Sequence, residues 1–340
     1  MNIAVIGYGY WGPNLVRNFS WQNNTHVKYV CDLNENRLAG AKNQFSNIEI
    51  ITKDCQKVLA DPDVDAVAIA TPVSTHFPIA KAALEANKHV LIEKPMTENA
   101  QDAQTIIDLA KARNLTVMVD HTFLYTGAVK KIKELIASNQ IGDVYYFDSV
   151  RVNLGLFQSD INVVWDLAPH DLSIMNYVID KQPVSVSAQG IAHMEGGLEN
   201  IAYMTVYYEN STFAHFHVNW LSPIKVRRIL IGGSKKMIVY DDMENAEKVK
   251  VYDSGVYIKS DDKESIYKHL IQYRTGDMYA PKLDGAEALN IECQHFIECC
   301  REGKKPISDG EFGLTIVKML EAAQKSIKQQ GVNIPLDSLC

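Results

Sequence analysis

The first 120 residues alternate short apolar runs with longer stretches of helical periodicity. Runs at 2–6, 27–31, 48–51, 65–70, 89–92 and 116–119 predict strands, and 13–20, 35–45, 54–60, 76–87 and 99–113 predict helices. Val64-Asp65-Ala66-Val67-Ala68-Ile69-Ala70 and His89-Val90-Leu91-Ile92 are apolar at successive positions, the pattern of interior strands buried on both faces. Strands alternating with helices in this way predict a parallel sheet covered by helices. The pattern changes after residue 121. A helix is predicted over 127–139, followed by a turn at Asn139–Asp143 and β-rich segments at 144–153, 183–191, 201–208, 212–220, 226–231 and 236–240. Short polar turns such as Glu209-Asn210-Ser211 and Gly232-Gly233-Ser234 join several of them. Their alternation predicts a mostly antiparallel sheet with one helix-covered face. Two last helices, 284–301 and 309–329, stop ahead of Gly303 and Gly331.

A chain of 340 residues exceeds one ordinary core, so two domains are expected, divided as 1–121 and 122–340. A hydrophobic fraction of 46% with 22% charged residues is that of a folded chain. The net charge of −7 argues against nucleic acid as a partner, since backbone phosphates demand concentrated Lys and Arg. No apolar run approaches the roughly 20 residues of a membrane span. No basic segment followed by an apolar stretch precedes the first strand, so a secretory signal is not expected. Cys31, Cys55, Cys293, Cys299, Cys300 and Cys340 form no CxxC pair, and the adjacent Cys299 and Cys300 are poorly placed for an ordinary disulfide. A reducing, cytoplasmic setting is expected, with most of these thiols filling small apolar spaces.

Gly7-Tyr8-Gly9-Tyr10-Trp11-Gly12 follows the first predicted strand and opens a helix. In that context Gly7 permits a tight turn, Gly9 the close approach of a pyrophosphate, and Gly12 close helix–strand packing, with Tyr10 and Trp11 beside the ligand. Amides at the helix start then face phosphate charge. Asp32 follows Gly12 by 20 residues at the end of the second strand, where a carboxylate accepts from adenosine ribose hydroxyls and repels a 2′-phosphate. NAD is the expected cofactor and the first domain a Rossmann domain. The whole is an α/β protein whose second domain is α+β, built on a large, mostly antiparallel open sheet.

The fifth strand runs into Glu93-Lys94-Pro95, at the carboxyl edge of the sheet where ligands of such folds bind. Lys94 is either a donor to a developing alkoxide or a surface lysine in a Pro-terminated turn. In Trp165-Asp166-Leu167-Ala168-Pro169-His170, a helix starting at Asp166 puts Pro169 in its first turn and Asp166 and His170 on one face. His170 then suits proton transfer, with Asp166 orienting it or holding a substrate hydroxyl. The alternative is an N-cap and a packing residue, and the residues alone leave both open. His215 and His217 share a strand face without a third ligand at suitable spacing, so no metal is expected. His193 stands alone.

The glycine turn, Asp32, Ala70-Thr71-Pro72 with His76, Glu93-Lys94-Pro95 and Asp166-x-x-x-His170 occur in an order that resembles the Gfo/Idh/MocA oxidoreductases. The likeness spans essentially the whole chain, including Gly303-Lys304-Lys305-Pro306-Ile307-Ser308-Asp309-Gly310. It implies that Lys94, Asp166 and His170 surround the nicotinamide C4, with His170 the acid/base and Lys94 supporting it, family members differing over which of the two is the main proton carrier. It also implies that Thr71, Pro72 and His76 line the cofactor and that Glu93 lies near the nicotinamide ribose. The segments around Gly7 and Asp166 look most like the branch acting on nucleotide sugars, where oxidation at C3 of a UDP-N-acetylhexosamine, or reduction of a keto-sugar nucleotide, is typical. Arg151, Asn153, Lys225, Arg227 and Arg228 either contact the substrate diphosphate, Arg being suited to phosphate, or are ordinary strand-surface charge, the reading expected for at least half of them; Trp165 is a further substrate-binding candidate. The competing readings are an inositol or free-sugar dehydrogenase and an NAD-binding regulator without catalysis. The resemblance and the open sheet face together imply a homodimer or homotetramer.

Overall fold

The computed structural model describes residues 1–155, 160–179, 181–194, 197–209, 211–258 and 271–339. Asn210 of the 209–211 turn and Cys340 lie outside them. The chain divides into two compact units: Met1–Tyr125 with Ala286–Glu321 and Leu339, and Thr126–Gly285 with Ala322–Ser338.

In the first unit, β1 (Asn2–Ile6), β2 (His26–Cys31), β3 (Ile50–Thr52), β4 (Ala66–Ile69), β5 (His89–Glu93) and β6 (Val117–Asp120) form a parallel sheet in the order β3-β2-β1-β4-β5-β6. This is the doubly wound dinucleotide-binding order, with its switch point between β1 and β4. The crossovers are α1 (Gly12–Ser20), α2 (Glu35–Gln44), α3 (Cys55–Ala60), α4 (His76–Glu85) and α5 (Ala100–Arg113). Asn34, Asp54 and Asn99 cap α2, α3 and α5 by accepting from amides of the first turn. All side chains of β4 are buried, as its unbroken apolar run requires.

The second unit holds α6 (Gly127–Ala137), β7 (Val144–Leu154), α7 (Val163–Val178) and β8 (Pro183–Ile191). It continues with β9 (Ile201–Tyr208), β10 (Phe213–Asn219), β11 (Leu221–Gly233), β12 (Met237–Asp241), β13 (Val249–Ile258) and β14 (Ile271–Tyr279). After α8 (Ala288–Glu302) and α9 (Gly310–Lys328), β15 (Ile334–Pro335) completes a nine-stranded sheet ordered β14-β13-β12-β11-β7-β10-β9-β8-β15. All its pairs are antiparallel except β7 with β10. Helix α7 packs against β7, β9 and β10 on one face.

Three features differ from the sequence reading. Asn162, not Asp166, caps α7 by accepting from the amides of Val164 and Trp165. Asp166 and Pro169 therefore lie inside the helix, and Pro169 removes one of its hydrogen bonds. Strands β13 and β14 were not expected, because Asp253-Ser254-Gly255 inside β13 carries turn chemistry. Helix α8, which the sequence reading places in the second half, packs on α1 through the edge contact of Phe296 with Phe19 and the Arg17–Glu287 ion pair. The sheet edge at β6 is covered by Ser308 and Asp309, with Val119 N–H donating to Ser308 O at 2.8 Å.

Candidate functional site

The glycine turn is built by sterics. Gly7 has φ +96°, and a Cβ there would stand 2.4 Å from Ala70 O. A Cβ on Gly12 would stand 2.4 Å from Gly7 O, so α1 is drawn against the turn. At Gly9 nothing approaches a Cβ closer than the Arg37 guanidinium at 3.8 Å. That face of the turn is open, as a bound pyrophosphate needs.

Asp32 follows β2, and the two backbone amides it accepts from fix its carboxylate. Oδ2 accepts from Tyr8 N–H at 2.7 Å and Oδ1 from Asn34 N–H at 2.8 Å. Each oxygen keeps a lone pair for a ribose hydroxyl. Arg37 lies 3.6 Å from Oδ2 and is half exposed, a neighbour the sequence reading missed because it sits one turn into α2, not beside Asp32. Tyr10 is exposed, and its ring stacks on Trp11, whose indole N–H donates to Asp120 Oδ2 at 2.8 Å.

The loops after β4 and β5 are tied together. His76 is buried, with Nδ1 2.9 Å from Pro95 O and Nε2 2.9 Å from Thr71 O. Burial lowers its pKa, so the neutral ring donates to one carbonyl only. His76, expected beside the cofactor, is 1% exposed, and its two ring contacts tie the loop after β4 to the loop after β5. Thr75 Oγ1 lies 2.6 Å from both the Thr71 hydroxyl and Pro72 O and pins that loop. Lys94 extends from the end of β5 beside Glu93, half-buried, and the Lys94–Pro95 bond is cis.

Within the first unit two further groups crowd the sheet's carboxyl edge. His121, directly after β6, is buried with neither ring nitrogen hydrogen-bonded, and burial, then the Lys94 charge, lowers its pKa to about 3. Glu292 of α8 is fully buried near Asp120, its pKa raised by burial and then by that carboxylate. The sequence held a signal for Glu292, a carboxylate in the apolar stripe Leu289, Cys293 and Phe296.

In the second unit, Asp166 Oδ2 accepts from Trp220 Nε1 at 3.0 Å. His170, one turn on, opens with Leu167 onto a pocket of about 60 Å³ lined also by Arg151, Val152, Asn153, Lys225 and Arg227. Arg151 is buried and holds Asp171 through two bonds at 2.9 and 2.7 Å. Arg227 lies 3.2 Å from Asp242, and Arg228 pairs with Asp241 outside this pocket. Lys225 is exposed at the rim. Trp165 is outside the pocket lining. His215 lies 3.2 Å from Asp148, while His217 stacks on Tyr203 at 4.4 Å; both belong to the sheet face. Among the described residues no His, Cys, Asp or Glu cluster suits a metal, and no helix is long and apolar enough to cross a membrane.

The parallel order, the open glycine turn and the oriented Asp32 define a dinucleotide-binding domain. Residues 1–121 match the oxidoreductase family's NAD-binding Rossmann fold, and residues 129–239 match the GFO/IDH/MocA C-terminal domain. The chain belongs to the Gfo/Idh/MocA oxidoreductase family, and its first domain binds NAD. It is 24% identical to the myo-inositol 2-dehydrogenase of Thermotoga maritima, over 97% of each chain. It is 30% identical to the UDP-N-acetylglucosamine 3-dehydrogenase of Acidithiobacillus ferrooxidans, over 57% of this chain and 60% of the other. A solved structure of that 3-dehydrogenase superposes with TM-score 0.79 at 24% identity, covering 97% of this chain and 98% of the other.

Proposed function

We propose that the chain is an NAD-dependent dehydrogenase of a nucleotide-linked sugar, acting at C3 of an N-acetylhexosamine such as that of UDP-GlcNAc in surface-polysaccharide synthesis. The observation that carries this reading is the pocket where His170 meets Asn153, Lys225 and Arg227. It combines an imidazole for the hydroxyl proton with cationic and amide donors for an anionic, polar ligand. The likeness to UDP-N-acetylglucosamine 3-dehydrogenase supports the same choice.

Gly7, Gly9 and Gly12 admit the dinucleotide, Asp32 holds the adenosine ribose, and Tyr10, Trp11, Thr71, Pro72 and Glu93 complete its surroundings. Bound NAD supplies the hydride acceptor. His170 takes the proton of the reacting hydroxyl, Lys94 supports the developing negative charge, and Asp166 orients the helix face that carries His170. The chain acts in the cytoplasm as a homodimer or homotetramer. Its five described cysteines are all free thiols, which accords with a reducing compartment.

A second reading has its own support. The charges of Arg151 and Arg227 are matched by Asp171 and Asp242, and the inositol dehydrogenase likeness spans nearly the full chain. Inositol or a free sugar would then be the substrate. NADH formation at 340 nm with UDP-GlcNAc, UDP-glucose, dTDP-glucose, myo-inositol and glucose separates the two. Turnover with a nucleotide sugar alone, cut about 100-fold or more by H170A or K94A, supports the proposal. Turnover with inositol or glucose alone overturns the substrate class and keeps the chemistry.

A further inference from the structure

Asp120 ends β6 and Glu292 sits on the buried stripe of α8; their exposures are 2% and 0%. Neither forms an ion pair among the described residues. Asp120 is instead held by two neutral donors, Trp11 Nε1 at 2.8 Å and the Thr122 hydroxyl at 2.6 Å. Neither carboxyl oxygen of Glu292 has a hydrogen bond of ordinary geometry. Burial, then Asp120 of β6 and more weakly Glu93 of β5, raise its pKa. A fully buried carboxyl whose oxygens accept no hydrogen bond is held in its neutral form. Asp120 spends its charge on two donors, and Glu292 is the protonated member of the two.

Trp11 is the residue this pair reaches. It is the last side chain of the glycine turn before Gly12, it is half-buried, and its carbonyl accepts the first amides of α1 from Asn14 and Leu15. A fixed indole therefore fixes the backbone that presents the turn to phosphate.

We infer that Asp120 and Glu292 are positioning residues for the dinucleotide: Asp120 anchors the Trp11 indole, the buried neutral Glu292 backs Asp120, and together they set the affinity of the glycine turn for NAD. This rests on NAD binding alone and stands or falls independently of the sugar substrate.

The test uses the full-length protein, with NAD affinity measured by calorimetry and Trp11 emission isolated as wild type minus W11F. D120N keeps one acceptor oxygen for two donors, and W11F keeps the ring without its N–H. Each should weaken NAD binding about tenfold, the loss of one hydrogen bond to a charged group. The double variant D120N/W11F should bind no more weakly than the weaker single variant, as a shared interaction requires. D120N should also shift Trp11 emission, which a general loss of packing elsewhere would not do. E292A should weaken binding severalfold, and Gln, the neutral isostere of a protonated Glu, should restore it. Losses that multiply in D120N/W11F would overturn the inference, as would E292Q binding as poorly as E292A. If D120N does not fold, unchanged NAD affinity in W11F overturns it as well.

Discussion

At the scale of single residues, two buried groups give the first unit opposite responses to pH. His121 has a folded-state pKa of about 3, lowered by burial and then by Lys94. An unfolded imidazole titrates near pH 6.5, so below that value the unfolded chain binds a proton that the folded chain refuses. Stability is full above about pH 6.5 and is lost as pH falls toward 3, at about 1.4 kcal/mol per pH unit. H121F should therefore gain about 2 kcal/mol over wild type at pH 5, beyond any gain the two share at pH 8. Urea titrations at both pH values would show it, and equal acid sensitivity in the two proteins would refute it. Glu292 runs the other way, because its folded pKa is raised by burial and by Asp120. Its contribution is full below the ordinary carboxyl range near pH 4.3 and is lost as pH rises above it. E292Q should melt above wild type at pH 7 and lose that advantage by pH 4. A constant difference across this range would mean that Glu292 carries no displaced proton.

At the scale of elements, the contact that matters most is between β7 and α7. Arg151 of the strand and Asp171 of the helix are both buried and share two hydrogen bonds, and the same helix carries Asp166 and His170. Removing one partner strands a charge, so R151A should cost about 3–5 kcal/mol in urea unfolding. R151M/D171L replaces the pair by apolar groups of similar volume and should recover most of that loss. If the double variant is as unstable as R151A, the cost lies in packing and not in an unpaired carboxylate. The sequence made Arg151 visible as a cation but not as a buried one, because Asp171 faces it from 20 positions away. The same limit explains the rest of what was hidden. Periodicity made β1 to β6 and the glycine turn legible, since each is specified by residues close in sequence. Helix α7 was legible as a helix but not in its start, because Asn162 and Asp166 are both competent caps and only the fold selects one. Strands β13 and β14 pair with each other across 12 residues, a register that local turn chemistry obscures. Helix α8 takes its place from Phe19 and Arg17, more than 260 residues earlier.

At the scale of the whole molecule, the face of the nine-stranded sheet away from α7 is where the proposed assembly is tested. Along β9, Ala202, Met204, Val206 and Tyr208 are buried, while Tyr203 and Tyr207 point the other way and are 49% and 38% exposed. Across the strand, Tyr207 pairs with Phe213, itself 46% exposed, and Tyr203 pairs with His217. The helix-covered face thus hides its apolar residues, whereas this face presents aromatic rings in adjacent cross-strand pairs. Isolated apolar side chains on a surface need no explanation, but paired aromatic rings across adjoining strands favour a second copy. Light scattering on the purified chain should report a dimer or tetramer. The double substitution Y203E/F213E, which places a carboxylate on each of two facing strands, should shift it to monomer with unchanged circular dichroism. Both side chains point away from the core, so the fold does not depend on them. A monomeric wild type would refute the assembly outright, and an oligomer that survives both charges would place the interface on another surface.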